Sequence, residues 1–140
     1  MKVLFDTNIV IDILKRREPH YENSNKLFML AADEKIDAII GTNAITDIYY
    51  LTKKQYGDTK TTVNIIFDIL EIIKPVDTLA NDIFRAAELG FRDFEDAVIT
   101  AIAIREKADY IITRNTNDFS QSVIPAITPD SFLTSINSVN

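Results

Sequence analysis

The chain has no cysteine and no tryptophan, one histidine (His20), and only three glycines and four prolines among its 140 residues. Without cysteine there can be no disulfide, no thiolate metal site and no thiol nucleophile, a composition that fits the cytoplasm. A single histidine in a charged connector leaves a His-dependent triad or a zinc site little to work with. Gly41, Gly57 and Gly90 are widely spaced, so no glycine-rich loop cradles a phosphate. No apolar run approaches the roughly 18 residues that a membrane span needs, and Lys2 is the only positive charge before the first run. Neither a membrane segment nor a secretion signal is expected. Basic residues are also in deficit, 15 Lys and Arg against 21 Asp and Glu, for a net charge of −6. This argues against a broad basic nucleic-acid face, but leaves room for an enzyme whose acids are neutralised by divalent cations.

What is present is an alternation of short apolar runs with helical periods. Val3-Leu4-Phe5 has strand composition and no polar alternation, as in a strand buried on both faces. Thr7 or Asn8 is placed to cap a helix through Ile9, Val10, Ile13 and Leu14. A helix is expected over 21–34, a strand at Ala38-Ile39-Ile40 and a helix over 44–56 that Gly57 ends. Thr59 or Thr61 opens a further helix, and Ile72-Ile73 before Pro75 reads as an edge strand. Thr78 starts a helix ending near Gly90. The next spans 93–107 with Phe94, Ala97, Val98, Ala101, Ile102 and Ile104 on its buried side. Tyr110-Ile111-Ile112 is a strand, Ala126-Ile127 a weaker one, and Thr128-Pro129-Asp130 a helix start. Tyr49, Tyr50 and the phenylalanines fall at core spacings. The pattern predicts one domain over 1–140, with a central, mainly parallel sheet of four or five strands covered by helices on both faces.

In such a sheet, sites lie beyond the carboxyl ends of the strands. Asp6 follows the first strand directly, Asp47 and Asp96 fall in first turns of crossover helices, and Asp118 follows Tyr110-Ile111-Ile112 within one loop. Four carboxylates can therefore meet at one edge. Such a cluster repels itself unless cations bridge it, and an all-oxygen donor set suits Mg2+ or Mn2+. Each acid also has a plainer reading. Asp6 can simply start a turn, and Asp118 sits where Asx turns are common. Asp96 can be a first-turn acid favoured by the helix dipole behind an Asp93 cap, and Asp47 can be solvated or paired with Lys53 or Lys54. Asp12, Asp33, Asp37, Asp58 and Asp109 fall away from the edge and read as structural. Lys15-Arg16-Arg17 and Lys53-Lys54 are short solvated runs, or distal phosphate contacts if the acids cut RNA.

Three stretches taken together resemble a known family. Asp6-Thr7-Asn8 after the first strand, Asp93-Phe94-Glu95-Asp96-Ala97 opening a helix, and Thr113-Arg114-Asn115-Thr116-Asn117-Asp118-Phe119 after a strand look like the PIN domain. Ile127-Thr128-Pro129-Asp130-Ser131-Phe132-Leu133 extends the likeness to the end of the chain. The resemblance implies a three-layer α/β/α fold and a metal-dependent endoribonuclease, as in VapC-like toxins held inactive by an antitoxin. It carries over Asp6, Asp96 and Asp118 as metal ligands, with Asp47 completing the catalytic set, and Thr7, Asn8 and Asn115 as neighbouring substrate-binding positions. Expected partners are RNA, a cognate antitoxin and a second copy of the chain. The departure is Asp47, where the family most often has Glu; its carboxylate reaches about 1.5 Å less, one bond length. A degenerate PIN domain that only binds or dimerises is the non-enzyme alternative. A HAD-like phosphohydrolase would need an acid where Asn8 stands.

Overall fold

The computed structural model describes residues 1–139. Five strands, β1 (Lys2–Phe5), β2 (Asp37–Gly41), β3 (Lys74–Val76), β4 (Tyr110–Ile112) and β5 (Ala126–Ile127), form one parallel sheet in the order β3-β2-β1-β4-β5. Seven helices connect or follow them: α1 (Thr7–Lys15), α2 (Tyr21–Ala32), α3 (Ile45–Tyr56), α4 (Thr59–Leu70), α5 (Ala80–Leu89), α6 (Phe94–Arg105) and α7 (Pro129–Val139). Short 3-10 turns occupy Thr42–Ala44 and Thr116–Phe119. No helix among the described residues is long and apolar enough to cross a membrane.

The three layers follow from the two-residue period of the strands. Val3 and Phe5 of β1, Ala38 and Ile40 of β2 and Ile112 of β4 pack into one core with α1, α2, α3, α4 and α7. Leu4, Ile39 and Ile111, the intervening residues, pack into a second core with α5 and α6. Adjacent residues of a strand point to opposite faces, so an unbroken apolar run requires cover on both sides. The register aligns Val3 with Ala38 and Tyr110, and Leu4 with Ile39 and Ile111. In α6, every residue from Ala97 to Ala103 is buried. Thr100 is tolerated there because its hydroxyl donates to the Asp96 carbonyl at 2.9 Å.

Several local expectations are corrected. Asp6, not Thr7 or Asn8, caps α1, with its carboxylate accepting from the Thr7 N–H. Thr59 does open α4, and the cap before it is Asp58, which accepts both the N–H and the hydroxyl of Thr61 at 2.8 Å. The edge strand is Lys74–Val76 rather than Ile72-Ile73, and Pro75 pairs in it opposite Ile40. An edge strand spares proline the need for a second ladder bond. Thr78 lies before α5 and bonds Thr42 and the Asn43 N–H instead of opening the helix. α2 ends at Ala32, short of residue 34, and α6 begins after Asp93 and ends at Arg105. Phe94 is 51 % exposed rather than buried, and Tyr50, Phe67 and Phe84 are likewise outside the core.

The carboxyl-terminal helix is held by Phe132, fully buried and edge-on to Tyr110 with ring centroids 5.9 Å apart. Phe132→Ala is expected to cost about 3–5 kcal/mol, the usual range for emptying a buried phenylalanine site. Urea unfolding followed by circular dichroism measures it.

Candidate active site

The sheet ladder runs one residue past β1 and β4. The Asp6 N–H donates to the Ile112 carbonyl at 2.9 Å, and the Thr113 N–H donates to the Ile127 carbonyl at 3.0 Å. Asp6 and Thr113 are thereby set side by side on the carboxyl edge. The Thr113 hydroxyl donates to Asp6 Oδ2 at 2.8 Å, the Thr7 N–H to Asp6 Oδ1 at 2.8 Å, and the Asn8 amide lies 3.3 Å from Oδ2. Only 7 % of Asp6 is exposed. Burial pushes its carboxyl up from the ordinary value, the Thr113 and Thr7 hydrogen bonds and the Arg114 charge oppose this, and the Asp118 charge adds to it.

Asp96 lies in the first turn of α6, behind the Asp93 cap, whose Oδ1 accepts the N–H groups of Glu95 and Asp96 at 2.8 and 3.2 Å. Its carboxyl is pushed up to about 7, first by burial and then by the charges of Asp93, Asp6, Asp118 and Glu95. Glu95 is raised as well, by burial and then by Asp47, Asp6 and Asp93. These couplings bring Asp6, Asp96 and Asp118 together, and join Asp47 to the group through Glu95. Asp47 and Asp118 themselves are exposed. Asp47 forms no salt bridge with Lys53 or Lys54; Lys53 instead sits 5.8 Å from the Tyr49 ring centre.

Two parts of the site were not read from the sequence. Glu95 is masked in the sequence by its neighbours, since Asp93 supplies the cap and Asp96 the acid of the first turn. Its signal was its place in the same first turn. Arg114 carries no such signal in its local sequence. Its Nε donates to Asp12 Oδ2 at 2.7 Å and its Nη2 to Asp12 Oδ1 at 3.3 Å, and Asp12 is fully buried on α1. Asp12 is structural, as expected, and its structural work is to fix a cation beside Asp6.

Three buried oxygens at this end of the sheet have no hydrogen-bond partner among the described residues: Thr7 Oγ1, Asn8 Oδ1 and Asn43 Oδ1. Unpaired buried polar atoms are rare in folded proteins, and two of these flank Asp6. Gly41 makes room for the third, since a Cβ there would lie 2.4 Å from Asn43 Oδ1. As the side chains stand, no three His, Cys, Asp or Glu among the described residues are arranged to hold a metal ion.

Residues 2–117 match the sequence model described as the PIN domain. The chain belongs to the PIN-domain family.

Solved structures agree on the fold. The chain is similar to VapBC2 from Rickettsia felis bound to a promoter DNA fragment, at 20 % identity and TM-score 0.69, over 91 % of this chain and 98 % of that one. A toxin-antitoxin complex from Klebsiella pneumoniae matches at 24 % identity and TM-score 0.66, over 91 % and 97 % of the two chains. VapC20 from Mycobacterium tuberculosis, described as a Sarcin-Ricin loop cleaving toxin, matches at 12 % identity and TM-score 0.61, over 78 % and 86 %. No curated protein has a matching sequence. The five-stranded parallel sheet between two helical layers is the PIN arrangement.

Within this PIN domain, Thr7 and Asn8 stand directly beside Asp6. Asn115 lies further out, exposed, with its N–H donating to Thr113 Oγ1 at 3.1 Å. The raised Asp96 carboxyl has a consequence for stability. Between its unfolded value of about 4 and its folded value of about 7, the folded chain binds more protons than the unfolded one. Stability from this group is therefore present at low pH and is lost as pH rises through that window. Asp96→Asn is expected to raise the melting temperature of the chelator-treated protein near pH 8, with the gain closing near pH 4. A gain equal at both pH values would show that proton linkage is not its source.

Proposed function

We propose that this PIN domain is a Mg2+- or Mn2+-dependent endoribonuclease that hydrolyses RNA phosphodiester bonds, acting as the toxin of a type II toxin–antitoxin pair. The observation that carries the reading is the convergence of Asp6, Asp96 and Asp118 from β1, α6 and the loop after β4, with charges close enough to perturb one another. Burial, and then the charges of four neighbouring acids, push Asp96 up to about 7, and a hard divalent cation is what an all-oxygen donor set would take to offset them. The partnerless Thr7 and Asn8 oxygens fit the same group, since ions of this kind keep waters that need hydrogen-bond acceptors.

Asp6, Asp96 and Asp118 would hold the ion. When bound, it supplies an activated water and offsets charge on the phosphoryl oxygens. The chain's own work is orientation and proton handling. The Thr7 N–H and Thr113 hydroxyl fix both Asp6 oxygens, so that its carboxylate meets the site in one orientation. Asp47 and Glu95 complete the cluster from its exposed side, where a general base can orient water toward a phosphodiester. Thr7, Asn8 and Asn115 are the polar groups available to the substrate. Residues 1–140 are read as one domain working in the cytoplasm, with a cognate antitoxin and a second copy of the chain as partners. The toxin–antitoxin descriptions of the structural neighbours support the partner reading.

A second reading is a PIN domain that binds without cutting. Two observations favour it: no three acids among the described residues stand arranged for a metal ion, and Asp47 replaces the longer Glu that is most frequent in the family. Digestion of RNA with Mn2+ and with chelator decides between the two. The nuclease reading expects Mn2+-dependent cleavage, reduced more than about a hundredfold in Asp6→Asn, since groups that merely support ligands are already worth up to that much. It also expects Mn2+ to raise the melting temperature of wild type but not of Asp96→Asn. If the purified Asp6→Asn variant cleaves as fast as wild type, the assignment is wrong.

A further inference from the structure

Beside the acid cluster lies a pocket of about 510 Å3 that none of the catalytic carboxylates lines. One wall is the connector into α2, with Pro19 and His20, and the first turn of α2, with Asn23. The facing walls come from Arg114 and Asn115 after β4, and from the start of α7 at Pro129 and Asp130. The pocket and the acid site share a wall. Asn115 lines the pocket while its N–H donates to Thr113 Oγ1, and that hydroxyl donates to Asp6. Two hydrogen bonds thus separate the pocket from the buried acid.

We propose that this pocket is a subsite for one nucleotide of the substrate, next to the bond that is cut, with Arg114 taking its phosphate and Asn23, Asn115 and Asp130 reading its base. The ligand's identity rests on the nuclease reading above; the existence of the site rests on the pocket. Its volume lies within the roughly 300–1,000 Å3 of small-ligand sites. Two of the three Arg114 guanidinium nitrogens are held by the buried Asp12, so the guanidinium plane is fixed before any ligand arrives. Nη1 remains to meet a phosphate oxygen, and a pre-oriented planar fork suits that contact better than a mobile lysine. Asn23 and Asn115 carry donor and acceptor together, and Asp130 accepts from exocyclic amino or ring N–H groups, which is the chemistry that distinguishes base edges. The exposed Pro19 ring and His20 imidazole offer surfaces to a base face, and RNA recognition commonly places unstacked bases on imidazole rings.

His20 is the only histidine, so its imidazole proton resonances report on the pocket without assignment of other residues. The metal-free full-length protein is titrated with each of the four nucleoside 5′-monophosphates, and with inorganic phosphate, while the His20 resonances are followed. Asn23→Trp, which fills the pocket without touching the acid cluster, is titrated alongside after circular dichroism shows it folded. The expected result is a saturable His20 shift with at least one nucleotide, at about tenfold higher affinity than phosphate and absent in Asn23→Trp. The factor is that of one well-made base contact. No saturable shift with any nucleotide overturns the proposal, as does phosphate binding as tightly as every nucleotide. These readouts need neither metal nor cleavage, so they stand even if the protein cuts no RNA. Where it does cut, Asn23→Trp is expected to raise KM about tenfold with kcat unchanged. An unchanged KM overturns the subsite's place in the reaction.

Discussion

Keeping the Asp6 carboxylate out of water at the end of β1 is the constraint on which the rest of the site depends. Burial disfavours its charge, and three supports from different parts of the chain oppose that penalty. The Thr7 N–H comes with the first turn of α1, the Thr113 hydroxyl with the residue after β4, and the Arg114 charge with the loop that follows. Thr113 reaches Asp6 only because β1 and β4 pair in one register, Phe5 beside Ile112. A slip of one residue would exchange the two core faces and carry the hydroxyl away as well. Sheet register and site chemistry are thus a single requirement, which the apolar run before Asp6 and the run before Thr113 satisfy together.

Arg114 extends this dependence to α1. It is held by Asp12, buried in a helix whose other inward residues are apolar. A buried carboxylate and guanidinium in close contact offset one another's desolvation only when geometry is good, and here two hydrogen bonds supply it. The pair locks the loop after β4 to the helix after β1. Both ends of the Asp6 environment are therefore fixed by contacts outside the acid cluster, while Asp47 and Asp118 stay exposed to solvent.

The layers of this fold were legible because strands buried on both faces show unbroken apolar runs, and three of five did so: Val3-Leu4-Phe5, Ala38-Ile39-Ile40 and Tyr110-Ile111-Ile112. The edge strand was misplaced because hydrophobicity marks burial, not pairing. Ile73 is buried as the chain enters the sheet, while the ladder bonds fall on Lys74–Val76. Phe94, Phe67 and Tyr50 show the converse, since an apolar residue at helical spacing need not face the core. At the site, strand direction, crossover helices and the loop after β4 were the grounds for expecting Asp6, Asp47, Asp96 and Asp118 near one edge, and all of these are local features of the sequence. Arg114 did not, because its partner is 102 residues away and only the docking of α1 against that loop brings them together.

Asp6 and Asp96 then differ in a way that bears on their work. Asp6 is the more buried, yet it has hydrogen-bond donors and a nearby cation. Asp96 is partly open to solvent, but its carboxylate has no donor among the described residues, and four neighbouring acids all raise it. Environment thus separates two chemically identical groups: both are raised by burial, but hydrogen bonds and a cation oppose the rise at Asp6, while nothing opposes it at Asp96. The cost of that second state falls on the fold, since like charges at one edge repel whenever they ionise. A cluster of this kind is poorly explained as a stabilising feature. The sheet and its two cores carry it with Asp6 held by the Thr7 N–H and the Thr113 hydroxyl.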